Sequence, residues 1–202
     1  MGRYPAVLAL LLVVAMMATG IAPFDRLTWL MEVLPVMIVL PVLALTRRRF
    51  PLTNLLYTLI FLHALVLIVG GLYTYARVPA GFWAQHAFDL ARNPYDKLGH
   101  FMQGFVPALA AREIFIRNHV VRGRGIQAFL SVCVAMFVSA VYELIEWQSA
   151  VLMGQGADEF LGTQGDIWDT QSDMACALVG STIAVIFFSR LHDRYLGHPS
   201  RS

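Results

Sequence analysis

Residues 54–76 read NLLYTLIFLHALVLIVGGLYTYA, and this stretch decides the class of fold. It contains no Asp, Glu, Lys or Arg. About 20 consecutive apolar residues in a helix are enough to cross the hydrocarbon core of a bilayer. Five further stretches meet the same test, at about 5–22, 28–46, 98–116, 126–147 and 173–191. The sequence therefore predicts an all-α, polytopic membrane protein with six transmembrane helices.

The composition of the whole chain agrees with this prediction. Of its 202 residues, 58% are hydrophobic and 14% charged, and the mean hydropathy is +0.63. A soluble domain carries roughly 25% charged residues. Cys133 and Cys176 both lie within apolar runs, which is not the pattern of a disulfide framework or a thiolate metal site. We expect one integral membrane domain over residues 1–202, the lipid bilayer as its surroundings and no nucleic-acid partner; the oligomeric state stays open.

The basic residues predict the orientation, because cytoplasmic loops of membrane proteins are enriched in Lys and Arg. Four basic residues fall on one side of the six predicted helices, and Arg112 lies within a helix. The other side carries the larger group: Arg3, Arg47, Arg48, Arg49, Arg117, Arg122, Arg124, Arg190, Arg194 and Arg201. We therefore expect both termini in the cytoplasm of a bacterial inner membrane. The loop over residues 148–172, which has acids but no Lys or Arg, is then periplasmic.

The first apolar segment has an alternative interpretation. Arg3 precedes its apolar core and small residues follow between positions 18 and 22, as in a signal peptide. The charged region is minimal and the cleavage site is unconvincing, so a transmembrane helix is the favoured interpretation. Removal of this segment would leave the predicted orientation of the other five unchanged.

Three polar groups occur at the predicted periplasmic ends of different helices. Asp96 and His100, in the stretch DKLGHF, are four residues apart and so share one face of a helix, which Gln103 continues. Charged side chains in a membrane segment are costly and usually face the bundle interior. We therefore expect one shared site that collects the acids and the histidine: Asp96, His100, Glu143, Glu146, Asp166, Asp169 and Asp173, with Glu32 as a further candidate.

One imidazole together with several carboxylates predicts a divalent metal site or an acid/base centre. The candidate catalytic residues are Asp96, His100, Glu143 and Asp173. The candidate metal ligands are His100, Glu143, Glu146, Asp166, Asp169 and Asp173. No organic cofactor is indicated.

Structural explanations compete with this hypothesis. Asp96 and the three aspartates at positions 166, 169 and 173 could act as caps and first-turn acids of their helices. Glu143 and Glu146 do not fit that explanation, because carboxylates at the C-terminus of a helix oppose its dipole. With Lys97 or His100 as partners, the whole set could be an ion-pair network that only holds the helices together.

Other polar residues in the helices suggest less. His63, in the middle of its segment, is expected to be a satisfied core histidine. Arg112 and Glu113 are expected to extend from the fourth helix to the membrane surface. His192 lies in a polar cytoplasmic segment and suggests no special role.

The strings DKLGHF, YELIEW and GDIWDTQSDM, in this order, resemble the YjdF family of bacterial inner-membrane proteins along essentially the whole chain. More distantly, Asp96, Lys97, His100, Glu143 and Asp173 are similar to the pattern of VanZ-like membrane proteins, and Gly180 fits its last element. Ala177 stands where that pattern has Asn, and Gly165-Asp166 replaces its arginine before the aspartates. The resemblance implies an integral inner-membrane protein with a role at the cell envelope.

The sequence thus leaves three functions open. One is an envelope enzyme, metal-dependent or using proton transfer, that acts on a lipid-linked or phosphorylated substrate from the periplasmic side. Another is a transporter or lipid-handling protein, although an inverted repeat is not evident. The third is a non-catalytic structural or binding protein.

Overall fold

The computed structural model describes residues 3–153 and 164–197, and these two parts of the chain form helices without strands. In chain order the helices are α1 Arg3–Ile21, α2 Arg26–Thr46, α3 Asn54–Tyr73, α4 Pro79–Ala87, α5 Tyr95–Arg117, α6 Arg124–Met153, α7 Asp169–Phe187 and α8 Ser189–Tyr195. The predicted fold class, all-α and polytopic, is confirmed.

Five of these helices, α1, α2, α3, α6 and α7, are long and apolar enough to cross a membrane. Large apolar side chains cover their outer surfaces; Leu45 is 80% exposed, Phe187 70% and Leu10 62%. α5 has 23 residues but carries charged side chains near both ends, which lowers its hydropathy. Six spans with cytoplasmic termini stay a prediction. We call the end of the bundle that this prediction assigns to the periplasm the outer end, and the opposite end the inner end.

The helix bounds differ from the sequence prediction in α5, α6 and α7, which carry buried acids at the outer end. α5 begins at Tyr95 and α7 at Asp169, and α6 continues to Met153 instead of ending near residue 147. Glu143 and Glu146 therefore lie inside α6, and the expectation that they oppose the dipole at its C-terminus is wrong. Residues 154–163 of the predicted loop lie outside the described residues.

Polar caps start two of the helices. Asp25 Oδ1 accepts a hydrogen bond from the Thr28 amide at 2.7 Å, and this bond lowers the pKa of Asp25. Thr53 Oγ1 accepts the amide of Leu56 at 3.3 Å and begins α3. α2 contains Pro35 and Pro41. Each proline removes one intrahelical hydrogen bond and favours bending.

Two apolar clusters hold the helices together. Leu12, Val33 and Ile68 belong to the first, which joins α1, α2 and α3. Leu56 and Leu109 belong to the second, which joins α3, α5, α6 and α7. α3 contributes to both clusters, and α5 lies at the centre of the second.

α5 and α7 approach so closely that their backbones touch. A Cβ atom on Gly104 would lie 1.9 Å from the carbonyl oxygen of Ala177, and one on Gly180 would lie 2.1 Å from that of Phe101. Small residues let membrane helices pack at short distance. This contact is what brings the first turns of α5 and α7, with their acids, side by side.

A buried ion network closes the inner end, where the sequence predicted surface residues. Glu113 is fully buried, and its carboxylate lies 3.0 Å from His192 Nε2 and 2.9 Å from Arg117 Nη1. Arg112 is 5% exposed and pairs with Asp193 of α8 at 2.5 Å. The expectation that Arg112 and Glu113 reach the membrane surface is therefore wrong, and so is the expectation of no role for His192.

Candidate functional site

The acids predicted to converge do lie together, at the outer end. Six of them are buried, each at most 8% exposed, and we call them with His100 the acidic cluster: Glu32, Asp96, Glu143, Glu146, Asp169 and Asp173. α5, α6 and α7 carry five of the six: α6 presents two acids three residues apart, α7 presents two acids four residues apart, and α5 presents Asp96 four residues before His100. Glu32 comes from α2.

His100 lies at the centre of the acidic cluster. Its Nε2 atom is 3.4 Å from Asp96 Oδ1 and 3.8 Å from Asp173 Oδ1, and its Nδ1 atom is 3.6 Å from Glu143 Oε1. Nδ1 also lies 3.0 Å from Gln103 Oε1. Because an amide oxygen only accepts, Nδ1 carries the proton of that bond. Nε2 faces the carboxylates of Asp96 and Asp173, and a proton or a metal ion can lie between Nε2 and these carboxylates.

Lys97 and Arg92 neutralise the α7 side of the cluster. Lys97 Nζ lies 2.8 Å from Asp169 Oδ1 and 2.6 Å from Asp173 Oδ1. Arg92 Nη2 lies 2.6 Å from Asp169 Oδ1 and 3.0 Å from Asp166 Oδ2. Burial opposes the charge of Arg92, but the hydrogen bond to Asp169 and the negative charges of the nearby aspartates together outweigh it, so the pKa of Arg92 lies above its ordinary value. Asp166 and Asp169 are thus held by cations.

The α5–α6 side has fewer partners. Asp96 Oδ2 and Glu143 Oε1 are buried and have no hydrogen-bond partner among the described residues. Glu146, 8% exposed, lies one turn after Glu143 on α6. A buried carboxylate is costly unless a cation or a proton compensates its charge.

Among the described residues, two sets of side chains lie close enough together to hold a metal ion. In each set the ligand atoms lie within 4.8 Å of one another. The first set is Asp96, His100 and Asp173; the second is His100, Glu143 and Glu146. Ligands at about 2.1 Å from one ion are at most about 4.2 Å apart, so small side-chain movements would bring them onto it. Asp166 and Asp169 belong to neither set.

Three residues beside the cluster were missed by the sequence interpretation. Tyr142 donates a hydrogen bond from its hydroxyl to Glu32 Oε2 at 2.9 Å, and its ring centroid is 6.3 Å from that of His100. The position of Tyr142 directly before Glu143 in the sequence could have identified it as a neighbour of the site. Tyr75 packs against Gly99, at 3.1 Å from a Cβ placed there. Arg92 is one of the four basic residues on the predicted periplasmic side, and nothing near it in the sequence pointed to Asp169.

The fold and this cluster define a class: a multi-pass helical membrane protein with a buried acidic site at one end. Residues 4–194 match the family described as predicted membrane protein (DUF2238), and the chain belongs to that family. It is 64% identical over 188 residues to the inner membrane protein YjdF of Escherichia coli (strain K12), covering 93% of this chain and 90% of that relative. No solved structure gives a significant match. The chain is thus a multi-pass inner-membrane protein, as the sequence predicted.

Proposed function

We propose that the acidic cluster is a periplasm-facing, divalent-metal site that acts on a lipid-linked or phosphorylated cell-envelope substrate. The observation that carries this proposal is a charge imbalance. Six carboxyl groups are buried together, and the cations paired with them among the described residues are Lys97, Arg92 and, when protonated, His100. A divalent ion bound by His100 and its neighbours would supply the missing positive charge.

Each residue has a role in this proposal. His100 Nε2 and the carboxylates of Asp96 and Asp173 would hold the ion, and Gln103 orients the imidazole by accepting a hydrogen bond from Nδ1. In the alternative set with Glu143 and Glu146, the nitrogen that faces Glu143 is Nδ1, which would bind the ion in place of that hydrogen bond. A carboxylate left free of the ion takes or gives the proton of the reaction. A bound divalent ion binds phosphate oxygens and stabilises charge that develops on them. A phosphate ester or a phosphorylated lipid head group is therefore the substrate class that suits the cluster.

The ion pairs of Lys97 and Arg92 also support an alternative, a structural network without catalysis. Three of the acids are already held by these cations, as in a purely structural site. The two functions predict different effects of replacing His100. In a structural network the replacement lowers stability, whereas in a metal site it also weakens metal binding.

Metal analysis of the purified protein distinguishes the metal site from the structural network. We expect about one divalent ion per chain in the wild type, and a loss of about tenfold or more in affinity for His100→Ala and Asp173→Asn. The matched controls are His86→Ala and Asp89→Asn, two exposed residues at the same end of the bundle. Absence of metal from the wild type, with unchanged thermal stability in both variants, would remove the metal site. If the wild type binds no metal and the two variants have lower thermal stability than the wild type, the structural network is favoured.

The periplasmic location of the cluster has its own test. We expect a green fluorescent protein fused after residue 202 to fluoresce and an alkaline phosphatase fused there to be inactive, because the distribution of basic residues predicts a cytoplasmic C-terminal end. A phosphatase inserted after Asp89, between α4 and α5, should be active. The reverse pattern would place the acidic cluster on the cytoplasmic side and contradict the envelope substrate.

A further inference from the structure

A cavity of about 690 Å³ lies between the two apolar clusters, towards the inner end from the acidic cluster. Leu12, Val36 and Ala64 of the first apolar cluster line one side, and Val106 of the second lines the other. None of the described residues that line it carries a charged Asp, Glu, Lys or Arg side chain. The volume is in the range of about 300–1,000 Å³ that is usual for sites binding small molecules.

The cavity is long and opens sideways. Its lining residues run along α5 from Gln103 to Asn118, the residue directly after the helix, which is roughly 22 Å at a rise of about 1.5 Å per residue. The hydrocarbon core of a bilayer is about 30 Å thick, and one leaflet makes up about half of it. The cavity is therefore longer than the hydrocarbon part of one leaflet. Val39 and Val42 of α2 and Val138 of α6 line the cavity and are nevertheless 39%, 50% and 39% exposed. Its mouth therefore faces the surrounding hydrocarbon.

The end nearest the acidic cluster is polar. His63, Gln103 and Tyr142 line it, and the buried Nε2 atom of His63 has no hydrogen-bond partner among the described residues. The expectation of a satisfied core histidine thus finds no support there. An unpaired buried polar atom is unfavourable, so a polar group of a bound molecule is expected beside it.

Gln103 and Tyr142 connect this cavity to the acidic cluster. Gln103 accepts from His100, and Tyr142 donates to Glu32, while both side chains also line the cavity. The arrangement is a long apolar chamber, open to lipid, with a hydrogen-bonding end that adjoins a charged site. A phospholipid has three parts in the same order: an apolar acyl chain, a polar ester region and a charged head group.

We propose that the cavity binds one acyl chain of a membrane phospholipid, which enters between α2 and α6 and places its polar ester end at His63, Gln103 and Tyr142. This inference deepens the proposed function, and it rests on that function only in assigning the head group to the acidic cluster. Binding of the chain itself depends on the shape and the polarity of the cavity.

The test is native mass spectrometry of the purified full chain with added phosphatidylethanolamine. We expect the wild type to retain one lipid. Val39→Trp, which fills the mouth, should weaken retention by about tenfold. The matched control is Ile38→Trp, because Ile38 is the adjacent residue, is 55% exposed and does not line the cavity. Ala110→Leu, which narrows the cavity from α5, should also weaken retention.

Retention of lipid by Val39→Trp and Ala110→Leu at the wild-type level would overturn the inference, as would equal loss in the two tryptophan variants. Retention of a polyprenyl phosphate in preference to phosphatidylethanolamine would overturn the choice of an acyl chain. The metal content of the same samples reports separately on the proposed function: Val39→Trp should keep its metal, and Asp173→Asn should lose its metal but keep its lipid.

Discussion

Gly104→Ala and Gly180→Ala should each lower the stability of the protein by about 3 kcal/mol, at the upper end of the range for overpacking a core. The added Cβ would lie 1.9 Å from the carbonyl oxygen of Ala177 or 2.1 Å from that of Phe101. Both obstacles are backbone atoms, which cannot move away as the tip of a side chain can. α5 and α7 must therefore separate along this contact.

The separation should also damage the acidic cluster. Gly104 lies one turn after His100 on α5, and Ala177 lies one turn after Asp173 on α7. Moving the helices apart lengthens the 3.8 Å separation of His100 and Asp173 and the 2.6 Å pair of Lys97 and Asp173. We therefore expect both variants to bind metal more weakly as well as to melt at a lower temperature in detergent.

Gly125→Ala is the matched control for this prediction. Gly125 lies in the first turn of α6, and nothing lies within 4 Å of a Cβ placed there. Alanine has a higher helix propensity than glycine, so this variant should be as stable as the wild type or slightly more stable. Equal melting temperatures for all three variants would show that α5 and α7 are not in backbone contact.

Lys97→Met should destabilise the protein by about 3 kcal/mol, since removing one partner of a buried ion pair leaves the other charge uncompensated. Lys97 Nζ lies within 3 Å of both Asp169 and Asp173, and its side chain is only 22% exposed. Without it, both aspartates face the rest of the acidic cluster with Arg92 as the remaining cation on that side. The measurement is the midpoint of thermal unfolding in detergent, compared with Arg26→Met, which removes an exposed cation at the same end.

A double variant separates the ion pair from the packing of the long lysine side chain. In Lys97→Met with Asp173→Asn, the charge that Lys97 compensates is removed together with Lys97. The loss should be smaller than the sum of the two single losses, because the two residues are in contact. Additive losses, or a Lys97→Met variant as stable as Arg26→Met, would show that Lys97 does not hold the α7 side of the cluster.

The helices were predictable because each is a long apolar run, whereas their ends were not. α6 continues past Glu143 and Glu146 to Met153, and both glutamates are buried. Hydropathy treats a carboxylate as the end of a segment, whereas these two carboxylates face neighbouring helices from inside α6. α5 shows the same effect at both ends, with Asp96 at its start and Glu113 near its finish.

The composition of the candidate site was also predictable. The rule that charges in membrane segments face the interior selected His100 and its acidic neighbours from sequence alone. Which of the acids are paired with cations, and which are not, could not be predicted from the sequence. Asp166 and Asp169 are paired with Arg92, while Asp96 and Glu143 each have a carboxylate oxygen that finds no hydrogen-bond partner within the described parts of the chain. Their roles in metal binding or catalysis stay predictions.

By itself the sequence determined that this is a helical inner-membrane protein with a group of acids and one histidine near one end of its helices. Only the tertiary structure decided which helix faces meet: that Gly104 fits against Ala177, that His192 reaches Glu113, and that a cavity ends at His63. The reason is that lipid-facing and core-facing surfaces are both apolar. In water the pattern of apolar residues marks the inner face of a helix, whereas in a bilayer that contrast is lost and close packing decides.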